Sequence, residues 1–262
     1  MYHSLTFGDS LEAGKNTWDD WRLIPTSRPV FAFPEVKTHQ VDIPGGNGVI
    51  ELTSALTGYP TYNTRKGSWE FIVMHSGLTS DANAHAYDNS SKIAWQLVMS
   101  DIANYLHGQS MYISYEDDPD FYYKGRLSIG GWNNGEEYST ITIEYDLEPF
   151  KYSITDNSNQ WKWDTFRFSD GVIKTYSGIS YDGNGFTTEI YGTVTPVIPT
   201  ISCNRPSTLT ISKNGNGRIY NLAVGQHEYD DIVIYPGKNV WTFYTTDKSS
   251  GNANVYFRAR SF

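Results

Sequence analysis

Between Ser90 and Leu106 the apolar residues recur at Ile93, Ala94, Leu97, Val98, Ile102, Tyr105 and Leu106, a helical spacing with one buried face. Ser90 and Ser91 supply N-cap oxygens, and Gly108, directly after His107, suits the left-handed residue that closes a helix. The spacing predicts one helix ending at Leu106 or His107, where the histidine side chain can meet the last carbonyls. Beyond it the period falls to two. Residues 111–115 read as a strand, 116–120 as a turn and 121–127 as the returning strand, so that helix and hairpin form one unit.

The rest of the chain is strand and turn. Residues 34–44 read as an extended edge strand bounded by prolines, which cannot donate to a ladder. It ends in Gly45-Gly46-Asn47-Gly48, a turn with positive φ. That cluster lacks the Lys-Ser/Thr and the helix start of a phosphate-binding loop. Ile50-Glu51-Leu52 follows, and residues 68–73 form a clean strand. A turn over residues 130–135 precedes a strand in which Ile141, Ile143 and Tyr145 alternate with Thr140, Thr142 and Glu144, one face buried and one wet.

Residues 153–160 are polar and aperiodic and mark a boundary between two domains, 1–152 and 153–262. After it, residues 161–168, 187–191, 197–204, 207–212, 218–222, 231–234, 239–245 and 253–258 have strand character, separated by Gly, Asn, Asp and Pro. Short strands at this spacing predict a β-sandwich of the jelly-roll or lectin-like kind. The fold class is therefore mainly β, an N-terminal β-rich domain with one α-helix and a β-hairpin, followed by a sandwich.

Composition agrees. The 262 residues include 20 Tyr, 8 Trp, 23 Gly and 11 Pro, a profile of strands and turns. The formal charge of −9, without a Lys/Arg run, excludes a specific nucleic-acid surface. The single cysteine, Cys203, excludes an internal disulfide framework and reads as a small buried core residue. The N-terminus lacks the basic and apolar regions of a signal peptide, and no apolar run approaches a membrane span, so synthesis in a host cytoplasm and no membrane partner are expected.

Candidate chemistry is sparse. Asp117, Asp118 and Asp120 flank Pro119 as a hydrolase pair would, but a solvated hairpin tip accounts for them. His75, Asp81, His85 and Asp88 lack the close spacing of a metal site. No nucleophile elbow or zinc-protease motif is present, and neither a catalytic residue, a cofactor nor a metal is expected. Trp18 and Trp21 beside Asp19-Asp20 read as an aromatic anchor for a loop rather than a sugar platform. In the second half Trp161, Tyr181 and Trp241 are candidate stacking faces for surface glycans, set against core packing, which the alternation of Trp241 with Phe243 favours.

The residues 16–25 (NTWDDWRLIP), Val41-Asp42-Ile43-Pro44-Gly45-Gly46, Gly67-Ser68-Trp69-Glu70-Phe71, Leu106-His107-Gly108, Asp117-Asp118-Pro119 and 122–127 (YYKGRL) follow one another in an order that resembles the distal tail protein (Dit) family of siphophages and prophages of Gram-positive bacteria. The second half resembles that family's galectin-like C-terminal domain through residues 234–239 and 255–258. The resemblance implies a non-enzymatic virion protein at the tail tip. It implies a homo-hexameric ring at the end of the tail tube, with tail-tip or receptor-binding proteins as further partners. On this reading Glu116, Asp117, Asp118, Tyr122, Tyr123 and Arg126, at the hairpin, are the expected contacts between subunits. The alternative is a glycan-binding module using the C-terminal sandwich.

Overall fold

The computed structural model describes residues 2–55, 57–74, 91–135, 138–154, 176–213 and 216–262. They form two compact units, Met1–Lys151 with Phe262, and Tyr152–Ser261. The fold is mainly β, with one α-helix among the described residues.

The first unit contains β1 (Leu5–Gly8), β2 (Lys15–Asn16), β3 (Ile24–Pro25), β4 (Gln40–Asp42), β5 (Val49–Glu51), β6 (Arg65–Met74), α1 (Ser91–Leu106), β7 (Ser110–Tyr115), β8 (Asp118–Asn134) and β9 (Tyr138–Leu147). Its antiparallel sheet runs β2-β1-β7-β8-β9-β6-β3. Along β9 the residues Ile141, Ile143, Tyr145 and Leu147 are buried and those between them are not, as the alternation predicts. They join one core with Leu5, Phe7, Trp69 and Phe71.

α1 closes that core with Trp95, Val98, Met99, Ile102 and Leu106, a stripe at helical spacing. The period locates the helix, but Leu97 falls off the stripe and is 49% exposed. Gly108 takes the expected positive φ of 79°. Its N–H, however, reaches the Leu127 carbonyl of β8 at 2.8 Å. His107 also bonds outward, its Nδ1 accepting from the Ile129 N–H at 3.1 Å instead of meeting the last helical carbonyls. The helix end is therefore capped by the sheet.

Two turns differ from expectation. β7 and β8 are joined across Glu116 and Asp117 alone, with Tyr115 opposite Asp118, so Pro119 and Asp120 already lie in the strand. The expected turn at 130–135 is instead mostly the end of β8, which runs on to Asn134 past a register shift between Ile129 and Gly131. A Cβ on Gly130 would lie 2.5 Å from Glu144 Oε1, so only glycine fits this bulge without a shift.

β10 (Lys151–Ser153) begins at the last residue of the first stretch. The second unit contains β11 (Ile179–Tyr181), β12 (Phe186–Gly192), β13 (Thr200–Cys203), β14 (Ser207–Lys213), β15 (Asn216–Leu222), β16 (Gly225–Glu228), β17 (Gly237–Thr245), β18 (Gly251–Tyr256) and β19 (Arg260–Ser261). Two four-stranded antiparallel sheets, β11-β18-β13-β16 and β12-β17-β14-β15, share one core. Ile201, Cys203, Ala253 and Val255 enter it from one sheet, and Ile190, Leu209, Trp241 and Phe243 from the other. Cys203 is buried and unpaired, as expected. The segment 231–234 is no strand: only Ile234 bridges, to Val197. β11 is too short, and β16 too polar, to stand out in the sequence. Residues 161–168 lie outside the described residues, as do His75, Asp81, His85 and Asp88.

Candidate subunit interface

The β7–β8 hairpin tip is an anchor point. The Asp117 side chain, 5% exposed, accepts from His3 Nδ1 at 2.8 Å, from Tyr115 Oη at 2.8 Å and from Arg28 Nε at 2.5 Å. Burial alone would raise its pKa, but the hydrogen bonds from His3, Tyr115 and Arg28 outweigh burial and hold the carboxyl below its ordinary value. Glu116 Oε2 accepts from the Ser4 backbone N–H at 3.0 Å and from Ser4 Oγ at 3.2 Å, which also lowers its pKa. Lys151 Nζ reaches Asp118 at 2.6 Å.

Of the residues expected at an interface, Glu116, Asp117 and Asp118 thus come together at the tip with partners in their own chain. Tyr122 and Tyr123 are 7% and 6% exposed. Arg126 is not part of that group: its Nη1 donates to the Gly108 carbonyl, behind the helix.

Arg28 opens the segment that leaves this anchor. Phe31 turns inward onto Tyr123, ring centroids 3.8 Å apart, while Trp69 Nε1 donates to the Val30 carbonyl at 3.1 Å and the Ala32 N–H donates to Tyr145 Oη at 2.9 Å. Val30 and Phe33, on either side, are 71% and 77% exposed. From Glu35 the chain runs out and back. Its legs are joined by the Lys37 N–H to the Thr61 carbonyl and the Asn63 N–H to the Glu35 carbonyl, both 2.8 Å. Farther out, β4 and β5 pair with Val41 opposite Ile50. Gly45 and Gly48 close the turn with φ of 73° and 90°, as expected of that glycine cluster.

Every residue of β4 and β5 is exposed. Strand alternation puts Val41 and Ile50 on one face, continued by Ile43 and Leu52, and puts Gln40, Asp42 and Glu51 on the other, with Val49, 45% exposed, as the one apolar residue of that second face. The first four side chains are 37–50% exposed with nothing of this unit's core beneath them. A two-stranded hairpin is at best marginally stable alone in water, so an amphipathic one with an open apolar face calls for a partner surface. From sequence alone these residues read as an edge strand and a turn. The signal that finds them is the alternation Val41, Ile43 with Ile50, Leu52 on strands too short to reach the core.

The candidate glycan residues are placed otherwise. Trp241 is fully buried and Tyr181 is 4% exposed, both within the second core, so neither offers a ring face to a sugar from solvent; this corrects the expectation for both. Trp161 lies outside the described residues. Among the described residues no cluster of His, Cys, Asp and Glu could hold a metal.

No family model matches the chain, and no curated protein matches it. In three dimensions the chain is similar to a hub protein of phages. That protein is SPP1 Dit (gp 19.1), described as a paradigm of the hub adsorption apparatus in phages infecting Gram-positive bacteria. The likeness covers 98% of this chain and 99% of that one, with a TM-score of 0.57 at 12% sequence identity. At that identity it is a likeness of fold, and it falls on the same family that the sequence motifs resemble.

Proposed function

We propose that this chain is a structural protein of a phage or prophage tail tip. It forms a ring, hexameric as in the family it resembles, at the distal end of the tail tube and links the tube to tail-fibre or receptor-binding proteins. It acts by assembly rather than catalysis. The observation that carries this reading is the open apolar face of Val41, Ile43, Ile50 and Leu52 on an arm of the first unit, in a chain with the fold of SPP1 Dit. A second copy of the chain covers that face, because repeating one such contact around an axis closes a ring and leaves no arm exposed.

The hairpin tip serves the same end. Asp117 and Tyr123 hold Arg28 and Phe31 at the base from which the arm departs, Glu116 and Asp118 tie the tip to Ser4 and Lys151, Tyr122 packs on Tyr112, and Arg126 ties β8 to the helix end. The second unit, the galectin-like domain of the resemblance, is left to meet the other tail-tip proteins. The paired substitution Val41→Lys with Ile50→Glu tests the reading, since opposite charges facing each other across the two strands keep the hairpin paired. Both sites are exposed in the single chain, so its stability changes by less than about 0.5 kcal/mol, while light scattering shows the assembly lost. Assembly that survives the pair refutes the arm as the contact.

A further inference from the structure

Five Asn-Gly pairs occur along the chain, at Asn47, Asn134, Asn184, Asn214 and Asn216. Glycine has no side chain to shield its nitrogen and leaves the backbone free to rotate, so in each pair the glycine nitrogen is a candidate to attack the asparagine side chain. Sequence alone ranks the pairs equally. The fold does not.

Three of the described pairs are held. In the turn before β12, the Gly185 N–H donates to Asp182 Oδ1 at 3.2 Å and Asn184 Nδ2 donates to Asp182 Oδ2 at 3.3 Å, so nucleophile and leaving group are both engaged. A Cβ on Gly185 would clash with the Tyr244 ring, which leaves that turn little room to rearrange. At the end of β8, Asn134 pairs with Ser139 of β9, and its Oδ1 accepts from Ser139 Oγ at 3.2 Å. Asn216 and Gly217 of β15 pair with Lys213 and Ser212 of β14. Asn214 and Gly215 lie outside the described residues.

Asn47 is placed differently. It sits in the turn of the arm, where every residue from 43 to 48 is exposed. One backbone bond crosses that turn, from the Gly46 N–H to the Ile43 carbonyl at 3.0 Å. Neither the Asn47 side chain nor the Gly48 N–H makes a hydrogen bond among the described residues. Gly45 and Gly48 have φ of 73° and 90°, and a Cβ on either would meet nothing within 4 Å. The nitrogen is free to lose its proton, and the turn is free to carry it to the side-chain carbon.

We propose that Asn47 is a site of spontaneous modification, converting to aspartate and isoaspartate while the held pairs persist. The Gly48 nitrogen bonds to Asn47 Cγ, the Cγ–Nδ2 bond breaks, and ammonia leaves with the proton that Gly48 gives up. Water then opens the cyclic imide at either carbonyl. The net change exchanges ammonia for water and needs neither an oxidant nor a second reactant. Each event adds a negative charge to an arm that already carries Asp42 and Glu51, and isoaspartate lengthens the main chain between the paired Asp42 and Val49. One consequence rests on the ring reading: a second copy seated on the arm holds the turn, so the modification marks chains outside the assembly.

The test is peptide mapping by mass spectrometry after the intact full chain has been kept in mildly alkaline buffer for a series of times. It is run on the parent and on the Val41→Lys, Ile50→Glu variant, which the ring reading leaves as single chains. In the variant Asn47 should convert at least about ten-fold faster than Asn134, Asn184 or Asn216, the factor that one or two hydrogen bonds impose on a held group. Gly48→Ala in the same background should slow Asn47 by a similar factor, because the added methyl shields the attacking nitrogen. If the ring reading alone fails, parent and variant convert alike and Asn47 still leads in both. Conversion at Asn47 no faster than at the held pairs in the variant overturns the proposal, as does conversion that Gly48→Ala leaves unslowed.

Discussion

Phe31 lies flat on Tyr123, centroids 3.8 Å apart and planes 4° apart, and Trp69, Tyr115 and Tyr145 pack around the pair. Phe31 is the aromatic anchor of the segment that leads, through the buried Pro34, into the arm. Phe31→Ala should cost about 2–3 kcal/mol of stability in urea unfolding. Hydrogen exchange should rise across residues 34–63 and stay unchanged in β17. Equal loss of protection in both places would show that Phe31 does not anchor the arm.

Asp117 makes the arm base sensitive to acid. Its carboxyl is held below the ordinary value of 3.8, so its contribution is complete above the ordinary carboxylate range and lost as pH falls through the depressed folded value. Asp117→Asn should remove about 1–3 kcal/mol at neutral pH, because a neutral amide with one accepting oxygen replaces the charged carboxylate that His3, Arg28 and Tyr115 share. The variant and the parent should converge in stability once pH falls below the depressed folded value. A constant gap between them at every pH would contradict the assignment.

Alkali acts through buried tyrosines. Burial pushes Tyr123 and Tyr181 up to about 12, with nearby charges and hydrogen bonds adjusting each value. An unfolded tyrosine ionises near pH 10, so the folded chain holds these protons longer and loses stability between about pH 10 and 12. Absorbance at the phenolate band should show late-titrating tyrosines whose ionisation coincides with loss of structure. Tyr123→Phe should remove one of them and raise stability at about pH 11 relative to the parent.

Arg65 is 2% exposed; its Nε donates to the Pro149 carbonyl at 2.7 Å, but Nη2 finds no partner among the described residues. Burial lowers its pKa accordingly. One hydrogen bond and the Tyr123 ring, whose centroid lies 5.6 Å from the guanidinium carbon, offset only part of that burial, so the charge adds little stability. Arg65→Met, which keeps most of the volume, should leave stability unchanged or raise it by about 1 kcal/mol, whereas Arg65→Ala should cost about 2–4 kcal/mol through the cavity it leaves. If both variants lose the same amount, the charge itself is stabilising.

Much of the fold is legible in residue patterns, and the parts that are not share a cause. The helix is readable because Val98, Ile102 and Leu106 repeat on one face, yet Trp95 and Met99 fill that face in place of Leu97, since orientation depends on the sheet it meets. Gly130-Gly131 reads as a turn because a bulge and a turn ask the same of a glycine; only the pairing with β9 separates them. Trp241 reads as core before ligand face, because it alternates with Phe243, whereas no local pattern decides for Tyr181; burial places both in the core. The arm is the harder case. Val41, Ile43, Ile50 and Leu52 alternate like any half-buried strand, and no local pattern tells a face that meets its own core from one that meets another chain.

Light scattering on the purified full chain over a concentration series, followed by imaging of the largest species, tests the central claim most directly. The account predicts the mass of six chains and a six-fold ring with a central opening, lost in the Val41→Lys, Ile50→Glu variant. A single chain at every concentration, with no ring in any image, would contradict it.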